Sequence, residues 1–226
     1  MNDATPSTVH AKGVRRILSS AKVYDLFQRM SGLNRSYDTL VGEYFGDTTG
    51  RDVLDIGCGT AAISQWMPGA RYQGFDPNAD YISTAEESLP VSVSVWQASI
   101  EEPGLDSTQR FDLILGVGVL HHVDDEVADR FFSLASHHLR EGGRAVTMDP
   151  CKHENQSFLA RTMVSRDRGE WVRNSDEYVT LARGHFENVS VGVRDDLLRF
   201  PYSHAIVTSS DVSESSSSSP QSKRAK

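Results

Sequence analysis

Val53-Leu54-Asp55-Ile56-Gly57-Cys58-Gly59-Thr60-Ala61-Ala62 holds the chain's strongest structural signal. A short apolar run with the composition of a buried strand ends in two glycines spaced two apart, and a helix-like stretch follows. Glycine permits a tight turn and lets a ligand come close to the backbone. In an open parallel sheet, ligands bind beyond the carboxyl ends of the strands. This turn is therefore the first candidate site.

Downstream, short apolar runs alternate with helical stretches. Strands are expected at 53–56, 72–75 (YQGF), 91–96 (VSVSVW), 111–117 (FDLILGV) and 144–148 (RAVTM), with helices near 60–67, 78–88, 124–140 and 155–164. That alternation predicts an α/β fold, a mostly parallel sheet covered on both faces. Near the end, 186–193 and 202–208 are strand-like with no room for a crossover helix between them, so they are expected to be antiparallel. Upstream, Ile17, Val23, Leu26, Phe27 and Met30, then Tyr37, Leu40, Val41 and Tyr44, recur at helical spacing. They predict two helices broken near 31–34, with Asn34 as a cap for the second. Tyr24 and Phe27 share one helical face, which either packs on the body or folds over the site as a lid.

Two acidic residues refine the site. Asp76 ends the second strand, nineteen positions after Gly57, where a carboxylate accepts hydrogen bonds from ribose hydroxyls. Asp55 stands immediately before the glycine turn. It would repel the pyrophosphate that a dinucleotide presents at such a turn, and it favours a cationic ligand. S-adenosylmethionine (SAM) offers a sulfonium and an ammonium and no phosphate.

DIGCGTA with Asp76 resembles the class I SAM-dependent methyltransferases, and FDLILGVGVLHHV (111–123) is similar to their fourth strand and the loop after it. The resemblance covers about Arg51 to Asp149. It implies a doubly wound, mostly parallel seven-stranded sheet with the last strand antiparallel and an N-terminal helical cap. It also implies that Gly57, Cys58 and Gly59 underlie the methionine part of SAM with Asp55 ordering the loop, and that Asp76-Pro77 holds the ribose. Ser99-Ile100 would flank the adenine, and Gly116 would belong to the same site. Serine at 99 departs from the aspartate that many relatives carry there. The stretches 165–173 (SRDRG…VR) and 196–204 resemble bacterial methyltransferases of unassigned substrate.

Methyl transfer is an in-line displacement from a good leaving group, so alignment and exclusion of water are the main demands. A hydroxyl or amine acceptor also calls for a general base, for which histidine is suited. His121 and His122 follow the fourth strand and either serve as that base or order the loop, before Asp124 and Asp125 cap the next helix. Asp149, His153 and Glu154, beyond the fifth strand, are further candidates. No metal-ligand spacing is present, and no metal is expected. Cys58 reads as a small turn residue. Arg161, Arg166, Arg168 and Arg173 crowd one stretch and either pair with Asp167 and Glu170 or recognise an anionic small-molecule acceptor. A catalytically silent SAM-binding partner and a nicotinamide-dependent oxidoreductase are the competing functions, and Asp55 argues against the second.

The remaining features set the context. A chain of 226 residues suits one domain able to bury about 70% of its unfolded surface. The net charge of -8 argues against non-specific nucleic-acid binding. Two cysteines make no disulfide framework, and the absence of a long apolar run argues for a reducing, cytoplasmic setting without membrane insertion. Residues 1–13 are expected to be flexible, 14–208 to form a single domain, and the serine-rich 209–226 to be disordered. Within the domain, 14–46 forms the cap, 51–149 the SAM-binding core, and 150–208 the substrate-side helices and last two strands.

Overall fold

The computed structural model describes residues 33–165 and 169–211. The expected first helix, with Tyr24 and Phe27, lies outside them, as do Arg166, Arg168 and the chain beyond 211. Seven strands form one sheet: β1 (Asp52–Ile56), β2 (Arg71–Asp76), β3 (Ser94–Gln97), β4 (Phe111–Val117), β5 (Leu139–Pro150), β6 (Asn188–Arg194) and β7 (His204–Ser210). Their order is β3-β2-β1-β4-β5-β7-β6. The first five pair in parallel, and β7 runs antiparallel to both β5 and β6, as expected.

Alternation along the central strands supplies both layers. Val53, Leu113, Leu115 and Val146 face one side, packing with Tyr37, Leu40, Phe45 and Ile63. Leu54, Ile114 and Ala145 face the other, packing with Phe131, Phe132, Tyr178 and Ala182. The first layer is covered by α1 (Leu33–Thr39), its π-helical continuation Leu40–Phe45, and α2 (Ala79–Ser88). The second is covered by α3 (Asp125–His138) and α5 (Ser175–Arg183). The short helix α4 (Phe158–Ser165) follows β5. Asp124 caps α3 by accepting from the Val127 N–H, as its sequence suggests.

Three expectations change. The helix foreseen at 60–67 is a five-residue 3-10 turn, Ala62–Trp66, because Pro68 and Gly69 stop the chain before it must enter β2. Helix α5 was not foreseen, although Asn174 and Glu177 form a complete capping box at its start. The serine tail begins later than 209, since Ser209 is buried and pairs with Ala145 while Ser210 pairs with Asn188.

At the amino edge of the sheet, Asp52 binds Arg71 at 2.6 Å and Arg140 at 3.0 Å, and Arg140 also binds Asp112. These partners, Arg71 first, hold the Asp52 carboxyl down to about 2. No helix among the described residues is long and apolar enough to cross a membrane.

Candidate active site

A cleft of about 280 Å³ opens at the carboxyl ends of β1, β2 and β4. Asp55, Gly57, Cys58, Gly59, Asp76, Pro77 and His122 all line it. The sequence therefore named seven of its residues. It missed Tyr37 from α1, Tyr81 from α2, and Gly118 and Val119 beyond β4.

The glycine turn is closed by its own hydrogen bonds. The Gly57 and Cys58 N–H groups both donate to Phe75 O, at 2.9 and 3.0 Å. The Gly59 N–H donates to Asp76 Oδ2 at 2.9 Å, and the Asn78 N–H donates to Asp76 Oδ1 at 2.8 Å. Asp76 thereby ties the turn after β1 to the turn after β2. Gly57 has φ 74°, and a Cβ there would lie 2.8 Å from Val119 Cγ2, so both backbone and space require glycine.

Asp55 is 2% exposed. Its Oδ2 accepts from the Tyr72 hydroxyl at 2.5 Å, while Oδ1 is buried with no hydrogen-bond partner among the described residues. Burial pushes the carboxyl up to about 6, with the nearby Asp76 adding to the rise and Tyr72 opposing it. Burial likewise raises Asp76. The Cys58 thiol is pushed up by burial and by both carboxylates, which leaves it a small turn residue and a poor nucleophile.

Residues 53–143 match the family model described as "Methyltransferase domain". That match takes in the glycine turn and strands β1 to β4. The sheet order agrees with the doubly wound seven-stranded fold that the resemblance of the motif implied. A ubiquinone biosynthesis O-methyltransferase of Nitrobacter winogradskyi is 28% identical over 158 residues, covering 65% of this chain and 58% of the relative. Its counterpart in a Bradyrhizobium species is 34% identical over 103 residues, covering 43% and 39%. The chain thus spans about half the length of the curated relatives it matches.

Among solved structures, phosphoethanolamine N-methyltransferase 2 of Haemonchus contortus in complex with S-adenosyl-L-methionine superposes with a TM-score of 0.65. It shares 16% identity, with 88% of this chain and 60% of that one covered. A TehB-like SAM-dependent methyltransferase from Corynebacterium glutamicum gives 0.57 and 17%, covering 88% and 99%. These likenesses concern the fold.

Around the cleft, the two adjacent histidines separate. His122 is exposed and lines the cleft, whereas His121 is buried beneath it. His121 Nδ1 lies 2.9 Å from Asp149 Oδ1, which also accepts the His121 backbone N–H at 3.2 Å. His153 does not line the cleft: its Nε2 lies 3.3 Å from Asp195 and 3.2 Å from Ser203 Oγ, joining the loop after β5 to the one before β7. Glu154 is exposed outside the cleft.

The remaining candidates stand apart from the cleft lining. Gly116 lies inside β4, where a Cβ would meet Phe131 Cζ at 2.5 Å, so it serves packing; Gly118, two residues on, lines the cleft. Ser99 and Ile100 also stand outside the lining, with the Ser99 hydroxyl bonded to Glu101 and Ile100 packed on the core. Arg173 is buried and committed. It binds Asp125 at 2.7 Å, donates to Leu120 O and Val123 O at 2.6 and 3.0 Å, and sits over the Tyr178 ring. It fastens the segment before α5 to the loop after β4, leaving no donor pattern for an acceptor. Arg161 is exposed and donates to Glu154 O.

Proposed function

We propose that the chain is a SAM-dependent methyltransferase acting on a small organic acceptor. One observation carries the choice of ligand: the cleft offers carboxylates and no spare N–H cradle. The N–H groups of Gly57, Cys58 and Gly59 are all donated within the protein, and the 3-10 turn beyond them is too short to supply a helix dipole. Among the described residues, neither lysine nor arginine lines the cleft. A pyrophosphate would find two acids there and little else, whereas an ammonium and a sulfonium would be attracted. This weighs against a nicotinamide dinucleotide.

The residues fit the cofactor at two points. Asp55 Oδ1, buried without a partner, suits the ammonium. Asp76 uses one lone pair of each oxygen on a backbone N–H and keeps others for the ribose hydroxyls. When bound, SAM supplies an electrophilic methyl on a good leaving group. The protein's part is to hold that group at the floor of the cleft, exclude water and accept a proton from the acceptor. His122, on the lip beside Val119 and Val123, is the proton acceptor in this reading. The relatives' printed names make a hydroxyl the first acceptor to test.

The experiment is calorimetric titration with S-adenosylhomocysteine and with NAD, followed by transfer of labelled methyl from SAM to a panel of small phenols and carboxylic acids. Binding of S-adenosylhomocysteine alone, with turnover, is expected. Tight NAD binding without S-adenosylhomocysteine binding would overturn the proposal. Cofactor binding with no transfer to any acceptor would favour the catalytically silent partner.

A further inference from the structure

We infer that Tyr72 is a positioning residue for the ligand's ammonium, acting through Asp55, and that Asp55 surrenders a proton when that cation enters the cleft. The inference rests on the cofactor reading above. Asp55 lines the cleft, and only its Oδ2 is satisfied, by the Tyr72 hydroxyl from the neighbouring strand. The contact follows from the β1/β2 register, in which Val53 lies opposite Tyr72. Tyr72 is itself buried, with its ionisation pushed far above the usual range by that burial, so it remains a neutral phenol and a fixed donor. Fixing Oδ2 leaves Oδ1 as the oxygen still to be paired.

Among the described residues, the titratable groups around Asp55 supply no cation. Asp76 faces it from the end of β2, Cys58 from the turn, and Tyr37 from α1 on the far side of Tyr72. His122 stands on the opposite wall of the same cleft. A buried carboxylate with one bare oxygen and a second carboxylate nearby favours its neutral form. Without ligand, Asp55 therefore holds a proton up to about pH 6. An ammonium against Oδ1 removes the reason to hold it. In balance, the carboxylic acid and the ligand's ammonium become a carboxylate–ammonium pair, and one proton leaves to solvent.

The test is calorimetry with S-adenosylhomocysteine in buffers of different ionisation enthalpy. Proton release should be about 0.9 per ligand at pH 5, about 0.5 at pH 6 and about 0.1 at pH 7. 5′-Methylthioadenosine, which lacks the amino-acid portion, should bind with no release. Tyr72→Phe removes the hydrogen bond that favours the ionised form, so the release curve should move up by roughly one to two pH units. Asp55→Asn should bind more weakly and release nothing.

Binding without proton release at pH 5 and 6 overturns the inference and leaves the cofactor reading intact. Absence of binding at every pH overturns the cofactor reading itself. Release that persists in Asp55→Asn would place the proton on another group of the cleft and end this role of Asp55. An unmoved curve in folded Tyr72→Phe would end the role of Tyr72.

Discussion

Single residues in this cleft carry more than one duty, and substitutions separate them. Asp76 both closes the glycine turn through the Gly59 N–H and faces the cleft. Asp76→Ala is expected to weaken S-adenosylhomocysteine binding by about 1.5–3 kcal/mol, the worth of hydrogen bonds to a charged group. Titration calorimetry on the folded variant measures it. In the function proposed above His122 serves the acceptor side, so His122→Ala should lower kcat by about 10²- to 10⁴-fold with cofactor affinity unchanged. Initial-rate kinetics, once an acceptor is found, test that split. Gly116 contributes to neither. Gly116→Ala pushes a methyl into the Phe131 ring and should destabilise the fold by roughly 1–3 kcal/mol, read from urea denaturation.

At the scale of elements, Arg173 joins three of them: the loop after β4, the start of α3 and the segment leading into α5. Its loss leaves the Leu120 and Val123 carbonyls without their donor. Arg173→Met should cost roughly 2–4 kcal/mol of unfolding free energy, visible as a lowered thermal midpoint, and should not act first on acceptor KM. The sequence left this arginine either in a solvated ion-paired stretch or in an anion-reading cluster; its burial and its carbonyl partners are tertiary facts. The same division runs through the fold. The β1 turn, Asp55 and Asp76 were legible because apolar run, glycine spacing and strand end lie close together in the chain. Tyr72 was not, because its meeting with Asp55 depends on the register between β1 and β2. Apolar residues over 61–67 suggested a helix, yet Pro68-Gly69 left room only for a 3-10 turn. The start of α5 was legible in principle: Asn174 and Glu177 have capping-box spacing that the periodicity reading passed over. Gly118 was not legible as a cleft residue, because only the end of β4 distinguishes a packed glycine such as Gly116 from one at the cleft.

Over the whole molecule, strand β1 opens on a carboxyl held down to about 2 and closes on one pushed up to about 6. The two act oppositely on stability. Asp52 lies below its unfolded value of 3.8, so its contribution is present above that pH and is lost as pH falls towards 2. Asp55 lies above its unfolded value, so its contribution is complete below about pH 4 and is lost as pH rises through 6, by roughly 3 kcal/mol at most. Asp76 shifts in the same direction as Asp55. Thermal midpoints of the ligand-free protein from pH 3 to 8 should therefore peak near pH 4–5, and saturating S-adenosylhomocysteine should move the peak towards neutrality. A midpoint that climbs steadily to pH 7 without ligand would contradict this. The practical outcome concerns handling. A mildly acidic buffer would give the hardiest preparation and strip it of bound nucleoside, while a neutral one would keep the nucleoside and soften the empty fraction. Shelf life and assay competence then call for different buffers, and β1 is the reason.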